Sequence, residues 1–312
     1  MTDARFTRRL GTERPVLKEP VWKPEIPFYF YAGGLGGASA GLALLSELRG
    51  NHVLARRAWA LALAGATASP ALLIADLGVP RRFLNKLRMF KVTSPMSVGS
   101  WILAAFGAAT GVAAIDAWTG VIPTPFGPAA KGTSAALGLP LTTYTAALIA
   151  NTAVPVWHEA RAELPVVFAA GGATSAGAAA MLVTPQRAAA PALRLAVGGA
   201  AVELAAVTVM ERRLGELAGP YHHGVPATFG RLAKAFTLAG AGLAATRARR
   251  SRAAAIGAGA LLTTGAVLTR WSIFKAGSRS AADTEASVKP QRERIERGET
   301  AGAIRVELRR PE

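Results

Sequence analysis

Long runs without a single charged residue dominate the chain, and short charged segments separate them. Five of these runs approach or exceed the roughly 20 residues that an α-helix needs to cross ~30 Å of hydrocarbon. They are residues 26–46, 58–75, 92–115, 132–157 and 164–186. The pattern therefore predicts five transmembrane helices.

Three further segments are shorter or carry a charge, and we predict that they also span the membrane. Residues 195–210 contain Glu203, residues 235–246 are 12 uncharged positions, and residues 253–269 are 17. The second segment becomes long enough if Arg231 and Lys234 extend to the interface from its first turns. The sequence thus predicts an all-α integral membrane protein with eight transmembrane helices and both chain termini on one side.

A very short charged turn after residue 157 divides the predicted spans into two halves. Residues 26–157 hold the first four spans and a basic loop at 79–91, and residues 158–275 hold the last four. A polar segment, 1–25, and a charged tail, 276–312, flank them. We expect two four-helix bundles, and the glycines clustered in the first and fifth spans favour close helix packing.

The composition agrees with a membrane protein, because 51% of the residues are hydrophobic and only 18% are charged. The net charge of +17 does not indicate nucleic-acid binding, since the basic residues lie in loops and tails rather than in a folded basic domain. In the segment before the first span and in the loops between spans, Lys and Arg number 16 on the side of the N-terminus and 10 on the other side. This difference favours a cytoplasmic N-terminus and C-terminus.

Several kinds of catalytic site are not expected. The chain has no cysteine, so it forms no disulfide and cannot ligate an iron–sulfur cluster by thiolates. It has four histidines, and none of them forms the pair on facing helices that a membrane haem usually requires. We predict no haem, no metal site and no catalytic residue in this chain. The histidines are His52, His158, His222 and His223.

The ionisable residues within or at the ends of the spans are informative, because burying a charge in hydrocarbon is costly. If the spans alternate in direction, all of these ionisable residues lie nearer the side of the N-terminus. An apolar pocket with carboxylate, imidazole and phenol groups near one surface suits a quinone, whose carbonyls need hydrogen-bond donors. The residues are Asp76, His158, Glu159, Glu203 and Lys234, with Tyr29 and Tyr31 on the same side.

Structural roles remain open for the same side chains. The structural alternative for Asp76 is an ion pair with Arg81 or Arg82, and for His158 it is a helix cap. For the tyrosines it is a place in the aromatic belt at the membrane interface. The basic loop, PRRFLNKLRMFK, alternates cations with apolar residues, so we expect it on the membrane surface, facing lipid phosphates or an acidic partner.

Three segments resemble the NrfD/PsrC family of quinone-reactive membrane subunits, the polysulfide reductase NrfD type. They are DLGVPRRFLNKLRMFKVTSPMSVGSW at 76–101, IPFYFYAGGLGGASAG at 26–41 and YTAALIANTAVPVWHEARAELPVVFAAGG at 144–172. The resemblance implies a subunit of the bacterial inner membrane that binds menaquinone or ubiquinone. It also implies a four-cluster iron–sulfur partner and a molybdopterin catalytic subunit.

The resulting hypothesis is a membrane anchor that passes electrons between the iron–sulfur partner and the quinone pool. The predicted quinone-binding or proton-relay residues are Tyr29, Tyr31, Asp76, Tyr144, His158 and Glu203, and the predicted docking residues are Arg81, Arg82, Lys86 and Arg88. A secondary transporter or channel is the alternative, since such proteins also use helix bundles with buried ionisable groups. A purely structural anchor is a third possibility.

Overall fold

The computed structural model describes residues 22–77, 88 and 90–283, and all regular structure in that part of the chain is helical. Two short helices, Pro155–Glu159 and Gly219–His222, and two 3-10 turns lie in the connections. The long helices are α1 (Glu25–Leu48), α2 (His52–Asp76), α3 (Pro95–Thr119), α4 (Phe126–Ala150), α5 (Leu164–Val183), α6 (Ala190–Leu214), α7 (Gly224–Thr246) and α8 (Arg252–Ala282).

Seven helices in the described ranges are long and apolar enough to cross a membrane, namely α1 to α6 and α8. Large apolar side chains remain exposed on the outside of the helices, among them Ile115, Leu139 and Val209. Outward-facing apolar residues are expected where lipid, rather than water, surrounds a protein. The prediction of an all-helical, multi-pass membrane protein is confirmed. The eighth span and the grouping into two bundles stay predictions.

Local sequence signals set several helix ends. The Ser94 side chain accepts a hydrogen bond from the Ser97 amide, and Pro95 follows it at the first helical position of α3. Asn51 caps α2 in the same way, through the Leu54 amide. Gly120 ends α3 in the left-handed conformation, which glycine adopts without strain.

The connection after α4 differs from the prediction. We expected one span over residues 132–157, with His158 at its end, but α4 begins at Phe126 and ends at Ala150. His158 instead lies on the short helix Pro155–Glu159. Pro155 has no amide hydrogen to continue the α4 hydrogen-bond ladder, and it disfavours helical geometry at the residue before it.

Contacts between helix ends establish that consecutive helices run in opposite directions. At the N-terminal end of the protein, where α1 begins, Lys23 contacts Asp76 at the end of α2, and Arg213 of α6 pairs with Glu163 before α5. At the opposite end, Arg252 donates to the last carbonyls of α5. The structure therefore shows the alternation that the sequence analysis assumed.

Helix α1 lies at the centre, and its glycines contact three other helices. A Cβ atom on Gly65 of α2 would come within 2.6 Å of the Gly36 Cα. Gly37 meets Gly138 of α4, and Gly34 meets Gly172 of α5. The prediction that these glycines permit close helix packing is confirmed.

The last helix is longer than the sequence suggested. We predicted a span over 253–269 and a charged tail from residue 276, but α8 continues to Ala282. Its later part is buried rather than solvated, since Phe274, Ala276 and Ala281 all belong to the core.

Candidate functional site

The predicted site residues separate into two clusters and two positions at the N-terminal end of the protein. The first cluster joins Tyr29 of α1 to Tyr144 of α4, whose phenol groups interact with each other. Tyr29 is almost fully buried. The Tyr144 ring lies directly over Gly99 of α3, where even a Cβ atom would overlap the ring. Gly99 therefore leaves room for the Tyr144 ring itself, and the two phenols form an aromatic, hydrogen-bonding cluster.

A long apolar groove between α2 and α3 begins close to this cluster. Its first part has a volume of about 420 Å³, and Ser100, the neighbour of Gly99, lines it together with Leu103 and Pro70. A second part of about 590 Å³ continues toward the opposite end, past Trp118. Leu63 and Thr67 line both parts, so the two form one groove along the pair of helices.

The second cluster lies on the other side of α1, because Tyr29 and Tyr31 are two positions apart on one helix and face different ways. Tyr31 lies beside Arg270 of α8, and Arg270 lies close to Glu203 of α6. Both charged side chains are almost completely buried. Tyr31 and Glu203 were expected to share a pocket with Tyr29, and the structure places them in a separate, charged cluster.

Gly171 of α5 makes room for the two charges. A Cβ atom there would lie 2.5 Å from the Arg270 Nη2 atom and 2.8 Å from the Glu203 Oε1 atom. The two charged groups are therefore close neighbours on either side of Gly171. The guanidinium group also stacks over the Phe168 ring at 4.2 Å and donates to the Phe168 carbonyl oxygen. Arg270 is thereby held in place from α5.

Asp76 and His158 lie at the N-terminal end and have structural partners. The Asp76 Oδ1 atom accepts a hydrogen bond of 2.9 Å from the Lys23 amide. The His158 Nδ1 atom lies 3.2 Å from the carbonyl oxygen of Ala150, the last residue of α4. These contacts agree with the capping role considered for His158, and neither residue contacts Tyr29 or Tyr144 in the described hydrogen bonds.

Three of the four predicted docking residues, Arg81, Arg82 and Lys86, lie outside the described residues, as does most of the basic loop 79–91. Arg88 is described and is exposed.

Sequence reasoning missed Arg270, which directly follows the 17-residue uncharged run and served only to mark its end. One signal was available, because a lone arginine after an apolar run and a lone Glu203 inside another run are candidates for pairing within the membrane. Sequence reasoning also missed a third cluster, at the opposite end of the protein. In it, Lys131 of α4 bridges Glu47 and Asp116. Within the described residues, no group of three or more histidines or acidic residues is placed to hold a metal ion.

Comparison with known proteins found one family. A family model described as polysulfide reductase, of the NrfD type, matches residues 17–283, which is most of the chain. The match covers both clusters, the α2–α3 groove and all eight long helices. No similar protein was found among curated sequences.

Proposed function

Because the chain belongs to the NrfD-type polysulfide reductase family, we propose that it is the quinone-binding membrane subunit of a multi-subunit oxidoreductase. In this role it passes electrons between a partner iron–sulfur subunit and menaquinone or ubiquinone. The family match over residues 17–283 is the observation that carries the proposal.

The Tyr29–Tyr144 cluster and the adjoining groove fit a quinone. Quinone carbonyls accept hydrogen bonds, and the two phenols are donors at the N-terminal end of the bundle. The isoprenoid tail needs apolar surface, and the α2–α3 groove offers it along the length of both helices.

When bound, a quinone supplies the redox chemistry by taking up or releasing electrons together with protons. Tyr29 and Tyr144 would hold its carbonyl groups. Asp76 and His158, both at the N-terminal end, would hold protons near the aqueous surface. Glu203 would act farther inside, from the second cluster.

The partners would bind at the N-terminal end. Arg88 is exposed there, and the basic loop that contains Arg81, Arg82 and Lys86 would attract an acidic surface of the four-cluster iron–sulfur subunit. A molybdopterin subunit would carry out catalysis on the substrate. We further propose that the protein lies in the bacterial inner membrane with this end in the cytoplasm.

We also propose α7 as the eighth span. It has 23 residues, packs along α8 and exposes Leu232 and Leu238, as a lipid-facing helix does. Eight spans would form two four-helix bundles.

One observation favours the alternative, a secondary transporter or channel. Such a protein is expected to bury charges deep in its spans, and Glu203 and Arg270 are buried in this way. The family match favours the quinone subunit, and the quinone content of the purified protein distinguishes the two.

The test measures quinone that copurifies with the protein, after lipid extraction, in variants of the two clusters. Tyr29→Phe combined with Tyr144→Phe removes both donors and is expected to lower bound quinone at least about tenfold, since two hydrogen bonds are lost. Tyr31→Phe is the matched control, because it removes the same group from the same helix on the other face. Wild-type quinone content in the double variant, or an equal loss in the control, would exclude the Tyr29–Tyr144 site.

A further inference from the structure

Two buried polar groups without a hydrogen-bond partner face the same small cavity. Neither carboxylate oxygen of Glu203 has a partner, and neither does the hydroxyl of Tyr221. Glu203 is 2% exposed and Tyr221 is 7% exposed. Both line a cavity between α6, α7 and α8, here called the Glu203 cavity, whose volume of about 20 Å³ is enough for about one water molecule. Since buried polar groups normally have partners, the cavity requires an explanation.

The neighbouring hydroxyl groups cannot satisfy Glu203. Thr174 of α5 and Thr269 of α8 lie beside the carboxylate, but each donates its one hydrogen to a carbonyl oxygen of its own helix. Ser272, which also lines the cavity, donates to the Pro226 carbonyl oxygen. A hydroxyl group has a single hydrogen to donate, so these three have none left for the carboxylate.

Arg270 does not satisfy Glu203 either. Its Nη2 atom donates to the Phe168 carbonyl oxygen at 3.1 Å, and its Nε and Nη1 atoms have no partner. The two charges lie close together across Gly171, yet no hydrogen bond joins them. An ion pair at this separation leaves space for a donor between or beside the charges, and water is the donor that fits a small polar cavity.

The cavity extends from Glu203 toward the N-terminal end of the protein. Glu211 and Lys234 line its outer part, and they form an ion pair of 2.6 Å. Lys234 is 38% exposed, so this pair lies at the outer surface of the protein. Glu211 follows Glu203 by two turns of α6, a distance of roughly 12 Å along the helix. Thr237, on the cavity wall, follows Lys234 by one turn of α7.

We propose that the Glu203 cavity binds water and allows Glu203 to exchange protons with the N-terminal end of the protein, past the Glu211–Lys234 pair. In each transfer a water O–H bond breaks and a carboxyl O–H bond forms, and the water regains a proton from the aqueous side. The groups that face Glu203 are Arg270 and Thr269 from α8 and Thr174 from α5. Water access does not depend on quinone chemistry. The use of these protons by a quinone rests on the function proposed above.

The absence of cysteine from the sequence provides a clean test. A single introduced cysteine has the only S–H stretch in the protein, and its conversion to S–D in heavy water is followed by infrared spectroscopy on the full chain in lipid. Thr269→Cys reports on the cavity wall of α8 beside Glu203, and Thr237→Cys reports on the facing wall of α7. Thr110→Cys is the matched control, because Thr110 is fully buried and hydrogen-bonded to Ser134 of α4, away from the cavity.

Both cavity thiols are expected to exchange at least about tenfold faster than the control, because water reaches them without unfolding of the helices. Ser272→Cys, on the same wall of α8, is the second reporter in case the Thr269 variant does not fold. An α8 thiol that keeps its S–H band as long as Thr110→Cys does would overturn the proposal. Bound quinone is measured in the same samples, so failure of the quinone site would be seen separately from failure of water access.

Discussion

The protein contains two clusters of opposite charges, one buried and one partly buried, and they differ in how completely the charges are paired. At the opposite end, the Lys131 ammonium group lies 2.5 Å from Glu47 and 2.9 Å from Asp116, and the Trp59 indole donates to the other Glu47 oxygen. In the second cluster, Glu203 and Arg270 are close together, but no hydrogen bond connects them. A cluster whose members are all satisfied has a structural role, because it joins the ends of α1 to α4.

The incompletely paired cluster is suited to a different role. A charged group whose hydrogen bonds are all formed within the protein has no site left for a water molecule. Both carboxylate oxygens of Glu203, by contrast, lack a hydrogen-bond partner and lie beside a cavity. Leaving such a group buried costs several kcal/mol, so a site of this kind is expected where function requires it. Substitutions in the two clusters are therefore expected to have different effects on stability and on turnover.

The largest effect is expected at the satisfied cluster. Lys131→Met leaves Glu47 and Asp116 close together without their cation, and we expect the free energy of unfolding to fall by about 3–5 kcal/mol. Lys234→Met is the control, because it removes a partly exposed partner of Glu211 and should cost no more than about 1 kcal/mol. Unfolding of the purified variants in detergent measures both values. Equal losses would show that the Lys131 cluster is not the stronger structural element.

A functional effect is expected at the second cluster. Glu203→Gln keeps the size of the side chain but cannot carry a proton, so quinone turnover per assembled complex should fall by about 10²-fold. It also leaves the Arg270 charge buried without its counter-charge, so stability should fall as well. Glu47→Gln should lower stability alone, leaving turnover per assembled complex unchanged. Turnover and the amount of assembled complex are measured together. Wild-type turnover in Glu203→Gln would remove Glu203 from the proton route.

A smaller change is expected from altering the space around the pair. The Cβ atom in Gly171→Ala would contact both Arg270 and Glu203, and we expect a loss of about 1–3 kcal/mol as the side chains move apart. Gly41→Ala is the control, since nothing lies within 4 Å of a Cβ atom there. Thermal unfolding of both variants gives the difference. A Gly171→Ala protein as stable as the control would mean that the two charges are free to move.

The smallest change in stability is expected for Asp76→Asn. The asparagine Oδ1 atom can still accept the hydrogen bond from the Lys23 amide, so the loss should be below about 1 kcal/mol. Turnover of the assembled variant then decides whether the carboxylate also carries protons. A normal rate would leave Asp76 with a structural role alone.

The sequence predicted the helical, multi-pass architecture well, because uncharged apolar runs of about 20 residues rarely occur outside membrane-spanning helices. It predicted helix ends less well. Helix α4 ends at Ala150 and His158 lies on a separate short helix that begins at Pro155. Helix α8 continues past its first charges because Ile273, Phe274 and Ala276 pack in the core.

The candidate site was predicted only in part. Tyr29 and Tyr144 meet, as a shared site requires, but Tyr31 faces the other side of α1 and contacts Arg270 instead. Which face of a helix points to which neighbour follows from the packing of α1 against α4, α5 and α8. The glycine- and alanine-rich sequence has almost no polar stripe that would reveal this orientation.

The central position of α1 has a consequence for biogenesis. It is the first described helix to leave the ribosome, yet Gly34 and Gly37 pack against glycines of α5 and α4, which are synthesised much later. Until those helices arrive, only the Gly36 face of α1 has its partner, Gly65 of α2, while the faces at Gly34 and Gly37 lack theirs. Assembly around α1 is therefore incomplete until about half of the protein has been translated. A truncated chain that ends before α5 is expected to be a target for membrane proteases.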